Sequence, residues 1–429
     1  MARITGIEVR GIYQDLMLKF RDEGHTVYIV TPSERRLGES TRLVNLNDND
    51  NLDLNGKGVG GVHILRVKTL NLQKTNAIEK GVGQVLVESQ FTSAIKKYLS
   101  DVKFDLVLYS TPPITFPKVI AYLKRQNPQA MTYLLLKDIF PQNAVDLGMM
   151  SKTGVKGILY RFFRRKEKKL YALSDYIGCM SPANVEYVLR HNPEVARERV
   201  EVAPNSIEAP CPPKGENSEG EEKAKRAVER RYIRGKYRLP IDKPIFIYGG
   251  NLGKPQGIDY LMKCLNAVKG RTDCYFLVIG SGTEYGKLQA WYENLNEKCK
   301  VKNEKCAVRL MKGLPKEDYD LLVRSCDVGL IFLDHRFTIP NFPSRLLSYL
   351  ENRMPVLCAT DPNTDMGRIA EENGFGMWCE SVEPEDFTAL VDRMLKADRK
   401  VMGEKGYAFL KANYTVENTY GAIVKHVKL

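Results

Sequence analysis

Residues 244–268 read PIFIYGGNLGKPQGIDYLMKCLNAV, and the order of their parts decides the fold. A run of strand length, 244–248, leads straight into Gly249-Gly250-Asn251-Leu252-Gly253-Lys254-Pro255-Gln256-Gly257, after which 258–268 carries apolar residues at helical spacing. A strand, a glycine-rich turn and a helix in this order make the βα unit that a phosphate site needs. Glycines let backbone N–H groups approach an anion, and a helix start favours negative charge. Taken alone, the segment is equally an ordinary βα turn.

Outward from it, runs of strand length recur at 275–279, 307–311, 328–333, 355–359 and 376–378, separated by longer stretches of helical periodicity. Upstream, the strand candidates are 26–30, 62–67, 104–109, 131–136, 175–180 and 200–203, with helices at 11–23 and 84–100 among them. Such alternation predicts an α/β chain with parallel sheets. A length of 429 residues suits two domains. The boundary falls in 206–236, where Pro210, Pro212 and Pro213 precede the highly charged, helix-like run EEKAKRAVERRYIRGKY. The expected organisation is a Rossmann-like domain at 1–205, a charged linker at 206–236, a second Rossmann-like domain at 237–405, and a C-terminal helix at 406–429 packing back toward the first domain. The Asn-, Asp- and Gly-rich stretch 45–61 reads as a loop. Residues 3–9 make only a poor strand, so the first sheet is expected to start truncated.

The composition excludes several classes. With 43% hydrophobic and 27% charged residues the chain has ample material for a core. No run approaches the ~18 apolar residues of a spanning helix, and the first residues lack an apolar signal core, so a cytoplasmic location is expected. The nine cysteines include no Cys-x-x-Cys pair and read as reduced, mostly buried thiols; the five histidines are scattered, so no metal site is expected. A net charge of +13 implies an anionic partner. Nucleic acid ranks low, because aromatic residues are not interleaved with the basic ones and no helix-turn-helix or zinc-finger spacing occurs.

A second candidate for anion contact is Ile339-Pro340-Asn341-Phe342-Pro343-Ser344-Arg345, leading into Leu346, Leu347 and Leu350. Pro343 suits a first helical turn, which would leave the N–H groups of Ser344, Arg345 and Leu346 pointing out of the helix start beside the Arg345 guanidinium. The alternative is a plain helix start with a solvated arginine. Between the two candidates lie Val278-Ile279-Gly280-Ser281-Gly282 and Met311-Lys312-Gly313-Leu314-Pro315, each after a strand. In a doubly wound sheet all four turns would surround one crevice.

The series GGNLGKPQG, VIGSG, KGLPKEDYDLLVRSCDVGL and PNFPSRLLSYLENRMPVLCA resembles the donor lobe of glycosyltransferase family 4, the retaining enzymes of GT-B fold. Similar first-lobe segments are Asp138-Ile139-Phe140-Pro141-Gln142, Ser174-Asp175 before Met180-Ser181-Pro182, and Val202-Ala203-Pro204-Asn205. The glycine turn is most similar to the N-acetyl-L-fucosamine transferase-like branch of surface-polysaccharide assembly. The resemblance implies two Rossmann-like domains facing a central cleft, a nucleotide-sugar as donor substrate with no cofactor, and a glycan or lipid-diphosphate-linked acceptor. A UDP-sugar is expected, N-acetylated or deoxy-amino in type, serving capsule or O-antigen biosynthesis.

It also implies roles. Gly250, Asn251, Gly253 and Gly257 would line the diphosphate, with Gly280 and Gly282 beside them; Gly313 and Leu314 would meet the base through backbone groups; Asn341, Pro343, Ser344, Arg345 and Ser348 would close the donor site. Arg10, Gly11, Tyr13 and Gln142 would serve the acceptor. Asp138 would orient acceptor or donor sugar, or else cap the following helix. Where most of the family has an Arg and a Lys in the first turn, this chain has Asn251 and Gln256, which shifts the positive charge to Lys254 and Arg345. The family's paired glutamates fall on Pro340 and Ser348, leaving Glu351 as the substitute one turn on.

Residues 154–171, GVKGILYRFFRRKEKKLY, set Ile158, Leu159, Phe162 and Phe163 against Arg161, Arg164, Arg165, Lys166, Lys168 and Lys169. Such a basic amphipathic segment fits an anionic membrane on the inner face of the plasma membrane, or a packed helix with a solvated face. Two rival functions share the architecture: a sugar-nucleotide epimerase of GT-B fold and a catalytically silent nucleotide-sugar-binding protein.

Overall fold

The computed structural model describes residues 10–46, 60–72, 77–208, 218–301 and 306–427. The chain divides into two compact units, Met1–Glu208 with Tyr414–Leu429, and Ala209–Asn413.

The first unit runs α1 (Ile12–Asp22), β1 (Val27–Glu34), β2 (Arg42–Leu46), β3 (Val62–Thr69), α2 (Ala77–Tyr98), β4 (Leu106–Thr111) and α3 (Pro117–Gln126). There follow β5 (Met131–Leu136), α4 (Gln142–Asp146), α5 (Gly154–Leu173), β6 (Tyr176–Cys179), α6 (Pro182–His191) and β7 (Val200–Val202). Its strands form a three-stranded sheet, β1-β3-β2, and a four-stranded parallel sheet, β4-β5-β6-β7. Every residue of β5, MTYLLL, is buried, as expected of a parallel strand covered on both faces. β2 pairs antiparallel with β3, so the first unit is not purely parallel. Asn45 and Leu46, expected in a loop, belong to this strand because their ladder partners are His63 and Val62. The rest of that loop, 47–59, and the expected poor strand 3–9 lie outside the described residues.

The second unit contains α7 (Ser218–Lys236), β8 (Ile245–Asn251), α8 (Ile258–Val268), β9 (Tyr275–Ser281), α9 (Tyr285–Val301), β10 (Val308–Lys312), α10 (Lys316–Arg324) and β11 (Val328–Phe332). It ends with α11 (Arg345–Glu351), β12 (Val356–Thr360), α12 (Met366–Glu372), β13 (Gly376–Glu380), α13 (Pro384–Lys396) and α14 (Arg399–Asn413). One parallel sheet in the order β10-β9-β8-β11-β12-β13 holds the unit together. Its strands are added outward in both directions from β8, so the order reverses between β8 and β11, the switch point where such sheets bind ligands. Ile258, Leu261, Cys264, Leu265 and Val268 put one face of α8 into the core.

Two expectations about organisation are corrected. Residues 218–236 are not a linker but helix α7, held to the second unit by Arg234, whose side chain is wholly buried. Its guanidinium donates to the carbonyls of Ser325 (3.0 Å), Pro240 and Lys243 (both 2.9 Å) and to Asp327 Oδ2 (2.7 Å). Arg230 binds the same carboxylate, 2.9 Å from Oδ1. A buried charge fixed by this many acceptors fastens the helix. The C-terminal segment 406–429 is not one helix: α14 stays with the second unit, and after a break at Tyr414-Thr415 a last helix, α15 (Val416–Val424), joins the first. Thr415 caps α15 with Asn418, Ile423 is buried, and the Tyr420 ring meets Phe20 of α1 edge-on at 4.9 Å.

Seven of the cysteines are buried, Cys306 is half-buried, and all eight are free thiols; Cys211 lies outside the described residues. Among the described residues no helix is long and apolar enough to cross a membrane.

Candidate functional site

The second unit gathers its predicted turns at the C-terminal edge of the sheet. β8 ends in Gly249-Gly250-Asn251, and Gly250 adopts φ 122°, a conformation glycine reaches without strain. The chain then makes a 3-10 turn, Lys254–Gln256, before Gly257 starts α8 at φ 56°. Gln256, which stands where most of the family has a Lys, braces this turn: its Oε1 accepts from Asn251 Nδ2 (3.1 Å) and the Gly253 N–H (3.0 Å). Lys254 is exposed and has no ion pair among the described residues.

Gly280 and Gly282 have a packing role. A Cβ on Gly280 would stand 1.9 Å from the Gly250 carbonyl oxygen, and one on Gly282 would stand 2.2 Å from that of Leu252. Only hydrogen fits there, so β9 can lie against the turn while the Leu252 N–H donates to Ser281 O (3.0 Å). β10 ends alongside, with Lys312 in register with Gly280. Gly313 and Leu314 follow, exposed and half-buried respectively.

Arg345 is the residue that joins the two halves of the prediction. It opens α11, its Nη1 donates to the Gly249 carbonyl at 3.1 Å, and its guanidinium lies 4.2 Å over the Tyr248 ring. The fork is thus braced from two sides beside Gly250, about 3.9 Å from where a Cβ would lie. The helix start itself differs from expectation. α11 begins at Arg345 with Ser344 as its N-cap, so Pro343 stands outside the helix. The Leu346 N–H, expected free, donates to Pro343 O at 3.2 Å because the chain tightens into a turn there. Ser348 lies half-buried one turn after Arg345.

Sequence reasoning missed the groups that hold this edge in place. Tyr349, fully buried, accepts from the Gly249 N–H (3.2 Å) and donates toward Ile247 O (3.1 Å). Asp361, just past β12, accepts from the N–H groups of Asn363 and Thr364 and from the Thr364 hydroxyl, each at 2.9 Å. Thr364 Oγ1 in turn accepts from the Asn341 N–H at 3.0 Å, and Asn363 Nδ2 donates to Phe337 O at 2.7 Å. Burial pushes the Asp361 carboxyl up to about 6. The Asn341 Nδ2 amide that this scaffold positions is buried without a hydrogen-bond partner among the described residues, an arrangement that is costly unless something is there to accept from it.

The first unit gathers polar groups at the ends of β4 and β5. Asp138 follows β5; Asn143 Nδ2 donates to both its carboxylate oxygens at 2.8 and 3.0 Å. Burial nevertheless pushes its pKa up to about 6. α4 has no side-chain cap, so capping does not account for Asp138. Thr111 donates to the Asp138 carbonyl (3.1 Å) and accepts from the Lys137 N–H (3.2 Å). Lys137, which the sequence did not single out, reaches Ala203 O at 2.8 Å, and burial drives its pKa down to about 7. The Tyr13 hydroxyl bonds Ser110 on β4, and burial raises its phenol. Gln142 Nε2 donates to Asp146 at 2.6 Å. Arg10 and Gly11 are tied down by the buried Asp15, whose Oδ1 accepts from the Gly11 N–H at 3.0 Å and whose Oδ2 lies 3.5 Å from Arg10 Nε.

The basic face expected along 154–171 is partly spent inside the fold. Arg164 pairs with Glu167 and donates to His191 O (2.9 Å) and Asn192; Lys168 lies 3.0 Å from Glu194, and Lys166 lies 3.1 Å from Glu88. Phe163 packs edge-on against Phe140 at 5.0 Å.

Comparison with known proteins agrees with this geometry. Residues 229–409, all within the second unit, match the family model of glycosyl transferases group 1. The probable glycosyltransferase WbjE of Pseudomonas aeruginosa is 23% identical over 348 residues, 80% of this chain and 78% of that protein. WcaI of Escherichia coli (strain K12), named for glycosyl transfer in colanic acid biosynthesis, is 24% identical over 162 residues, 37% of this chain and 36% of that one. Among solved structures, a protein chain described as "Trehalose-6-phosphate from E. coli bound with UDP-2-fluoro glucose" superimposes with a TM-score of 0.68 at 10% identity, covering 100% of this chain and 98% of the other. The chain has the α/β fold of GT-B enzymes, and the family match and these relatives support a glycosyltransferase. Its second unit carries the group 1 glycosyl transferase domain.

Proposed function

We propose that the protein is a retaining enzyme that transfers a sugar from a UDP-sugar to a lipid-diphosphate-linked glycan during surface-polysaccharide assembly. The observation that carries this reading is the Arg345 fork braced by Gly249 O and Tyr248 beside the Gly250 turn. A guanidinium held there neutralises charge on a departing diphosphate, and catalysis by positioned charge needs no carboxylate pair. The name of WbjE supports glycosyl transfer, that of WcaI the pathway, and the UDP-2-fluoro glucose in the E. coli complex the donor.

In this reading Gly250, Asn251 and Gly257 line the diphosphate, Lys254 and Arg345 supply the positive charge, and the Asn341 amide donates to the sugar or phosphate. Ser344 and Ser348 flank the phosphate, and Gly313 and Leu314 offer backbone groups to the base. In the first unit Asp138 orients the acceptor hydroxyl, with Tyr13, Gln142, Arg10 and Gly11 around the acceptor and the low-pKa Lys137 close by.

The test is transfer from UDP-sugars to a short-chain lipid-diphosphate-sugar, with calorimetric UDP binding as the second readout. Product should keep the anomeric configuration of the donor; inversion, or conversion of the donor without acceptor, overturns the proposal. Arg345→Ala should weaken UDP binding by roughly tenfold or more, the loss expected for a charge-assisted hydrogen bond, and by more than Asn251→Ala does. The reverse order discards this version of the diphosphate site.

A further inference from the structure

The first unit carries a second concentration of positive charge that this reading does not use. α2, α3 and α5 enclose a pocket of about 680 Å³ at the surface, into which Lys96, Lys118, Lys124, Arg125 and Lys169 project alongside the Tyr122 ring. Lys124 is matched by Asp175 at 2.6 Å, and Lys96 lies 5.1 Å over the Tyr122 ring. Glu88, the acid in the wall, is engaged by Lys166 and by the Lys118 N–H. Lys118, Arg125 and Lys169 are exposed and have no ion pair among the described residues. Three unmatched cations converging with hydroxyl groups on one concavity suit a phosphate ester.

What adjoins the pocket identifies the source of that phosphate. The N-terminal half of α5 exposes Val155, Ile158, Leu159 and Phe162, at 86%, 63%, 50% and 43% of their surface. Residues 155, 158, 159, 162, 166, 169 and 173 follow helical spacing of three and four, so the apolar patch and the pocket-lining Lys169 and Leu173 share one face of the helix. Lys166 connects them, with its Nζ 5.9 Å from the Phe162 ring and 3.1 Å from Glu88. An apolar strip continuing into a basic pocket has the layout of a bilayer boundary, where acyl chains lie beneath phosphate groups. A free phosphorylated metabolite has no use for the strip.

We propose that this face of α5 and the α2-α3-α5 pocket form one docking surface for an anionic phospholipid, with the patch resting among acyl chains and the pocket holding the headgroup phosphate. The inference rests on the reading that the acceptor is membrane-borne. Co-sedimentation with phosphatidylglycerol-containing vesicles, phosphatidylcholine vesicles, and the former with competing glycerol phosphate tests it. Wild type should bind only the anionic vesicles. A Lys118→Glu, Arg125→Glu, Lys169→Glu variant should bind them at least about tenfold more weakly, since each basic group near a charged surface counts severalfold. Ile158→Ser with Phe162→Ser should weaken binding too. Unchanged UDP affinity and circular dichroism report that the variants fold.

If the triple variant binds vesicles like wild type, the pocket is overturned while a membrane-resting α5 survives. If wild type ignores anionic vesicles yet transfers sugar to the short-chain acceptor, the docking surface fails and the transferase reading stands. Complete displacement from vesicles by glycerol phosphate overturns the lipid as the ligand.

Discussion

Asp138 couples stability to pH through one proton. Its carboxyl ordinarily titrates near 3.8 but is pushed up to about 6 by burial. The neutral form is therefore favoured by the fold: the stability it contributes is fully present below about pH 4 and is lost as pH rises through about 6. Asp138→Asn should accordingly be more stable than wild type at pH 8, by an amount on the order of 3 kcal/mol, and no more stable at pH 4, as chemical denaturation at the two pH values would measure. If the ionised carboxylate orients the acceptor, wild-type kcat should rise through about pH 6, while the Asn variant should be flat and roughly a hundredfold slower. A variant of unchanged kcat would remove Asp138 from the reaction and leave only its cost to the fold.

Elements were legible where their signal was local. The residues 131–136 and 258–268, read from an apolar run and a helical period, coincide with β5 and α8. β2 escaped because RLVNL is short and part polar and gains its strand character from pairing with β3. The exact start of α11 escaped because Pro343 closes a turn there instead of entering the helix. Of the candidate site, the glycines and Arg345 announced themselves by residue type, whereas Tyr349 and Thr364 act through contacts about 20 to 100 positions away, with Asp361 holding Thr364, and carried no sequence signal. The same distinction yields a prediction about β9. Gly280→Ala would place a methyl group against the backbone of β8, which cannot yield as a side chain would. It should lower stability by about 1–3 kcal/mol and weaken UDP binding at least as much as Arg345→Ala does. A melting curve and a UDP titration on the one variant check both.

At the scale of the molecule the chain leaves the first unit at Glu208, builds the whole second unit, and returns at Tyr414. The charged segment 218–236 looked like a linker because a buried arginine cannot be told from a solvated one by composition. Removing residues 414–429 should therefore damage the unit farther along the sequence from them. Loss of Val416, Tyr420 and Ile423 from their packing forfeits roughly 5 kcal/mol of the first unit's stability, while UDP binding by the second unit should survive. Separate melting transitions, only one of them raised by UDP, would register this; loss of UDP binding on truncation would contradict it.

The return of α15 also sets an order in time. As the polypeptide emerges from a ribosome at about 5–20 residues per second, every strand of the second unit is available before α15 exists. The first unit, although begun earliest, waits with the α1 surface around Phe20 uncovered until residues 414–424 arrive. For that interval, on the order of ten seconds or more, a nascent chain holds a finished six-stranded sheet while the first unit is still incomplete. Exposed apolar surface of this kind is what chaperones bind, and here it belongs to the half of the protein made first.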